Sequence, residues 1–286
     1  IGVIVCEIAN SFFSQVINGI ESIAYKNGYN VIIAQSRESL ERELINLQYL
    51  TSRSVDGLII SVSTETRDSS YLRELHDKGM PIVFFDRIVD EIQTHKVIVD
   101  NFKGAYDATN HLISCGYTNI AAVNSASVLS IAKERLAGYK AALSDHGIEP
   151  DESLIKFCLH GGMIVEEVEQ VINELFAQPS PPDAIFATSD KLTTGCLRNL
   201  KARGLSVPAD IGLVGFSNTD LTELLDPPLS VIRQPAFEMG EIAISLLLQL
   251  IESKRPVTDF ETRVLPTELL LRNSTRKLKQ RMEKTS

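Results

Sequence analysis

Val207-Pro208-Ala209-Asp210-Ile211-Gly212-Leu213-Val214-Gly215-Phe216-Ser217-Asn218, running on to Val231-Ile232-Arg233-Gln234-Pro235, is the stretch on which the fold turns. Nothing polar interrupts Ile211 to Val214, as expected of a strand buried on both faces of a parallel sheet. Pro208 cannot donate into a sheet ladder and belongs to the loop that delivers the chain into the strand. Gly215 reads as the end of the run, where the backbone turns. Phe216, Ser217 and Asn218 then fall just past the carboxyl end of a strand, the edge at which open α/β sheets bind ligands.

The same rhythm extends in both directions. Ile1 to Val5 is an apolar run; Asn10-Ser11 caps an amphipathic helix that stops at Gly28. Val31 to Ala34 is the next strand, and Glu38 to Thr51 the next helix, with Leu40, Leu44, Leu47 and Leu50 at helical spacing. Strand and helix alternate every 25 to 30 residues or so, the pattern of right-handed βαβ units. It restarts after Val97-Ile98-Val99. The expected division places 1–100 and 235–258 in one lobe and 101–234 and 259–275 in the other, with 276–286 a frayed polar tail. A chain of 286 residues exceeds one hydrophobic core, so two lobes are also what its length demands.

Composition excludes several classes. A net charge of −9 argues against a nucleic-acid surface on these residues, since phosphates need a basic face. Cys6, Cys115, Cys158 and Cys196 have neither zinc nor disulfide spacing, and read as reduced, buried thiols of a cytoplasmic protein. The longest apolar run of the last helix, Ile242 to Leu248, is too short to span a membrane. No phosphate loop, paired metal-binding histidines or nucleophile elbow occurs, so no catalytic residue, metal or cofactor is expected. Asn273-Ser274-Thr275 matches a glycosylation sequon by chance.

Several strand ends carry residues a core does not want. Asn10 precedes Phe12 and Phe13, of which one is expected in the core and the other towards a ligand, a hydrophobic staple being the plainer account. Asp86-Arg87 leaves a buried strand as an acid and a fork-shaped donor, either a local ion pair or a ligand clamp. Arg135 lies near a helix start, where a solvated face is the ordinary role. Ser189-Asp190 follows Ala184 to Ala187, with Asp190 a candidate helix cap. Ser217 and Gln234 complete a set whose convergence on one edge speaks for a cleft.

These pieces, with Val55-Asp56-Gly57-Leu58-Ile59, Glu134-Arg135-Leu136-Ala137-Gly138-Tyr139 and Arg233-Gln234-Pro235, occur in the order and spacing of the LacI/GalR transcriptional regulators, whose effector-binding core the whole chain resembles. The resemblance implies an α/β, two-lobed periplasmic-binding-protein-like fold. Each lobe is then a parallel sheet flanked by helices, with three crossovers and a small effector, sugar-like by default, between the lobes. It implies that Phe12 and Phe13 pack on an apolar ligand face, and that Asp86, Arg87, Arg135, Ser189, Ser217 and their neighbours hydrogen-bond its polar groups. It also implies a homodimer that meets operator DNA through an N-terminal headpiece lying before this stretch. The family often has Asn where Ser189 stands, Asp where Ser217 stands and an aromatic where Gly161-Gly162 stand, so the ligand itself is not carried over. A secreted sugar-binding protein of a transporter shares the same fold and is the rival reading.

Overall fold

The structure, a computed structural model, describes residues 1–255 and 257–276. In chain order the elements are β1 (Gly2–Val5), α1 (Ser11–Lys26), β2 (Ile32–Gln35), α2 (Leu40–Ser52), β3 (Leu58–Ile60), α3 (Ser70–Asp77), β4 (Ile82–Phe85) and β5 (Lys96–Val99). There follow α4 (Asn101–Ser114), β6 (Ile120–Ser125), α5 (Ser130–Asp145), β7 (Ile155–Cys158), α6 (Val165–Phe176), β8 (Ala184–Ala187) and α7 (Asp190–Ala202). The last are β9 (Gly212–Phe216), β10 (Ser230–Arg233), α8 (Ala236–Glu252), β11 (Thr262–Leu265) and β12 (Glu268–Leu270).

The strands make two six-stranded sheets, ordered β2-β1-β3-β4-β5-β11 and β7-β6-β8-β9-β10-β12. Pairing is parallel where β1 meets β2 and β3, with Val3 opposite Ile33 and Ile59, and likewise where β8 meets β6 and β9. The two orders correspond strand for strand, so the chain builds one doubly wound plan twice. Three crossings link the sheets, after β5, after β10 and after β11, as expected.

Strand side chains alternate between two apolar layers. In the first sheet Val3, Val5, Ile59, Val83 and Phe85 face α1 and α8, while Ile4, Leu58, Ile60, Ile82 and Phe84 face α2 and α3. In the second, Ile185, Ala187 and Leu213 face α6 and α7, while Phe186, Val214 and Phe216 face α4 and α5. Burial on both faces is why these strands read as unbroken apolar runs.

Three expectations are corrected here. The segment assigned from 259 belongs in part to the other unit, because β11 pairs in parallel with β5, Val264 opposite Ile98. One compact unit thus comprises Ile1–Asn101, Ala126–Glu134 and Gln234–Glu268; the other comprises, among the described residues, Phe102–Ser125, Arg135–Arg233 and 269–276. Gly215 is not a turn but lies inside β9, where an added Cβ would sit 2.2 Å from Thr193 Oγ1 and 2.6 Å from the Ala187 carbonyl oxygen. Close packing, not turning, requires glycine there. Glu38 is not helical: α2 begins at Leu40 behind an N-cap Ser39, and Arg37 and Glu38 form a left-handed turn with φ of 52° and 63°. Apart from Arg276, the expected tail lies outside the described residues.

Candidate functional site

Each sheet carries polar side chains at the carboxyl ends of its strands, and each sheet's order reverses direction there, beside β1 and β3 in one and β6 and β8 in the other. Such a switch point opens a crevice at the strand ends.

In the first unit Asn10 caps α1, its side chain accepting the Phe12 N–H at 2.9 Å. The cap sets the direction in which the two phenylalanines enter. Both rings are buried, 5.2 Å apart edge to face, and Phe13 meets Phe85 at 6.1 Å. The expected division into one core ring and one outward ring is therefore not found. The first turn of α1 lies over the end of the sheet, so both rings have apolar neighbours.

Asp86 turns the chain out of β4 with φ 57°, a left-handed conformation that a short polar residue tolerates better than most. Arg87 does not pair chiefly with it. Its Nη1 donates to Glu38 Oε2 at 2.6 Å and to Cys6 Sγ at 3.2 Å, while Nε is 3.9 Å from Asp86 Oδ2. Glu38 Oε2 also accepts the Thr64 N–H at 2.9 Å. Behind it Glu43, fully buried, accepts the Ser63 N–H at 2.7 Å, the Thr66 hydroxyl at 3.0 Å and the Tyr71 hydroxyl. Glu38 from the turn before α2, Glu43 from the first turn of α2 and Arg87 from the loop after β4 thus grip the loop after β3.

These acids titrate in opposite directions. Burial pushes the Glu38 carboxyl up, but the Arg87 charge and the hydrogen bonds from Arg87 and Thr64 together hold it below the usual range. Burial pushes the Glu43 carboxyl up, and its hydrogen bonds offset this only in part. A lowered folded-state value means Glu38 supports the fold fully above the unfolded glutamate value of about 4.3, and loses that support as pH falls through its folded value. Glu43 works the other way, favouring the fold as pH falls below its raised value. Glu38→Gln is therefore expected to narrow the drop in unfolding midpoint between neutral and acid pH. Thermal unfolding of both proteins across that range measures it, and parallel curves would remove Glu38 from the acid response.

In the second unit Arg135 is buried, not solvated. Its guanidinium carbon stacks 3.7 Å from the centre of the Phe216 ring, and Nη1 donates to the Thr188 carbonyl. A desolvated cation over an aromatic face is held by the ring quadrupole, to the extent of about 2 kcal/mol. Asn124, at the end of β6, accepts the Thr188 hydroxyl at 2.7 Å and the Ser125 N–H at 2.9 Å. Ser189, not Asp190, is the N-cap of α7: its hydroxyl accepts the Leu192 N–H at 3.3 Å and donates to the Gly161 carbonyl at 3.3 Å. Asp190 is the first helical residue and accepts the Ser217 hydroxyl. Ser217 is thus tied to the aspartate that opens α7. Arg135, Ser189, Asp190 and Ser217 are thus brought to one edge of one sheet. Gln234, buried, follows β10 and belongs to the first unit.

Glu38, Glu43, Asn124 and Thr188 escaped the sequence reading. Asn124-Ser125 directly after the apolar run Ile120–Val123 is a signal of the same kind as Asp86-Arg87 and could have been found. Glu38 and Glu43 carried none, because acids at the head of a helix look solvated. In the sequon Asn273 is exposed, while Ser274 and Thr275 are buried and the Ser274 hydroxyl donates to the Leu213 carbonyl at 2.6 Å.

Several known proteins are similar over most of the chain. CytR, an HTH-type transcriptional repressor of Escherichia coli K12, is 33% identical over 276 residues, covering 96% of this chain and 79% of the repressor. The ribose operon repressor of Haemophilus influenzae is 34% identical over 283 residues, covering 98% of this chain and 82% of that one. Among solved structures, a LacI family transcriptional regulator from Enterococcus faecium with bound ribose superposes with a TM-score of 0.82 at 32% identity, covering 97% of this chain and 99% of the other. The family model describing periplasmic binding proteins and the sugar binding domain of the LacI family matches residues 1–268, and the chain belongs to that family.

Proposed function

We propose that the chain is the effector-sensing domain of a LacI-type transcriptional regulator, and that its effector is a sugar or sugar derivative engaging the carboxyl-edge residues described above. The observation that carries this is the buried Arg135, stacked on Phe216 and bonded to the Thr188 carbonyl, at the same sheet edge as the hydrogen bonds of Thr188 to Asn124 and of Ser217 to Asp190 and the Ser189 cap. Asn124, Arg135, Thr188 and Ser217 are buried while Ser189 and Asp190 are half-buried, so donors and acceptors are held at fixed positions beside an accessible rim, as recognition of hydroxyl groups requires. Ribose bound to the Enterococcus relative supports a pentose as the first compound to try. Effector binding would then bias a two-state equilibrium that operator DNA reads through a headpiece preceding Ile1. Repressor relatives that align over nearly the whole chain favour this over a transporter's binding protein.

A homodimer fits the exposed apolar residues. Ile32 and Ile33 on β2, an outer strand, and Ile45 and Tyr49 on α2 are exposed in the first unit, and Phe157 and Leu159 at the outer strand β7 in the second. Outer strands of this character call for cover. Sedimentation velocity reads the assembly, and a monomer at micromolar concentration would refute the dimer. Among the described residues no helix is long and apolar enough to cross a membrane. The four cysteines are free, which agrees with a reducing cytoplasm.

The deciding experiment is a thermal-shift screen of free sugars. A specific effector raises the unfolding midpoint in step with the logarithm of its free concentration. A complete panel of pentoses, hexoses and nucleosides without one such response would sink the assignment.

A further inference from the structure

Arg87 stands where a ligand clamp was expected, yet its charge is already answered inside the first unit. Nη1 and the Glu38 carboxylate are 2.6 Å apart, with side chains only 12% and 9% exposed. Glu38 cannot swing away: it sits in a two-residue left-handed turn, and its carboxylate also holds the Thr64 N–H at 2.9 Å. A pair so placed does not open for an anionic ligand, because opening leaves a buried carboxylate uncompensated. The groove of 380 Å³ beside it is lined by charges of both signs, Arg67, Arg87 and Lys133 with Asp90 and Glu91. With Glu38 and Asp86 both facing Arg87, the acids here outnumber the bases. With Nη1 engaged the fork is no longer whole, and Nε–H, 3.9 Å from Asp86 Oδ2, is buried without a hydrogen-bond partner. One N–H suits a hydroxyl oxygen; a phosphate calls for the whole fork and for net positive charge.

From this we infer that Glu38 is a specificity-determining residue: by holding Arg87, it selects an uncharged polyhydroxyl effector and excludes the phosphorylated form of the same compound. The inference rests on the sugar-sensing reading above and adds to it the charge of the ligand. It gives a role to an acid that makes no claim on the ligand directly and acts through Arg87.

Calorimetric titration of the intact chain with D-ribose and D-ribose 5-phosphate, and with D-glucose and D-glucose 6-phosphate, tests it. Wild type is expected to bind the free sugar of a responding pair at least about tenfold tighter than its ester. Glu38→Gln keeps an oxygen for Arg87 and Thr64 but removes the charge, so the preference is expected to move toward the ester by about tenfold. Glu38→Asp keeps the charge and is expected to keep the wild-type direction of preference. A wild type that prefers the ester, or a Gln variant with an unchanged ratio, overturns the inference and leaves the sugar-sensing assignment standing. Silence from both members of every pair overturns the two together. The wild-type comparison decides the ligand's charge even where a variant fails to fold.

Discussion

Arg135→Ala is expected to weaken effector binding by a factor of about 30 to 1,000, corresponding to roughly 2–4 kcal/mol for the loss of charge-assisted hydrogen bonds from a group held in place before the ligand arrives. The stack on Phe216 and the bond to the Thr188 carbonyl fix the plane of the guanidinium, so the group needs no reorganisation on binding. Alanine also removes packing from the Phe216 ring, which by itself lowers stability. Arg135→Met separates the two effects. Methionine refills much of the space over the ring but supplies no donor, so it is expected to recover most of the unfolding midpoint and none of the binding. Arg135→Lys keeps the charge yet loses the planar fork, and is expected to bind nearer to alanine than to wild type. Titration with the responding sugar, read beside thermal unfolding, checks all three. Wild-type affinity in the methionine variant would remove Arg135 from the site.

Gly240→Val is expected to destabilise the first unit by about 3 kcal/mol or more, in the upper range for overpacking. The reason is the crossing of α1 and α8. A Cβ at Gly240 would lie 2.1 Å from the Val16 carbonyl oxygen, and one at Gly19 would lie 2.0 Å from the Phe237 carbonyl oxygen. Each helix therefore presents a glycine to the other's backbone, and backbone cannot rotate aside as a side chain can. To admit a branched side chain the helices must separate and open voids around Ile20, Ala243 and Ile244, all fully buried in the same layer. Gly240→Ala is expected to have the same sign and a smaller size. Chemical denaturation with an unchanged slope measures the loss. A valine variant within about 0.5 kcal/mol of wild type would show that the crossing is looser than described.

The alternation of strands and helices, the doubling of one sheet plan and the polar residues at strand ends were all legible in the sequence. Each is a local property: apolar runs bounded by turn residues, helical spacing of Leu44, Leu47 and Leu50, and polar residues such as Asp86-Arg87 and Ser217 directly after such runs. Three kinds of fact were decided only by tertiary structure. The partner of β11 depended on which open sheet edge the returning chain met, and a short strand exposed at Thr262, Arg263 and Val264 carries no apolar pattern to announce it. The burial of Phe12 and Phe13 together depended on what lies over the first turn of α1, which helical spacing does not show. The role of Arg87 depended on Glu38, 49 positions away in the chain, and on a left-handed turn that carries that acid inward. Local sequence sets which backbone conformations are cheap and which faces are apolar. Whether a charge ends in solvent or against its opposite is settled by desolvation and pairing across the fold, where no neighbour in sequence has a say.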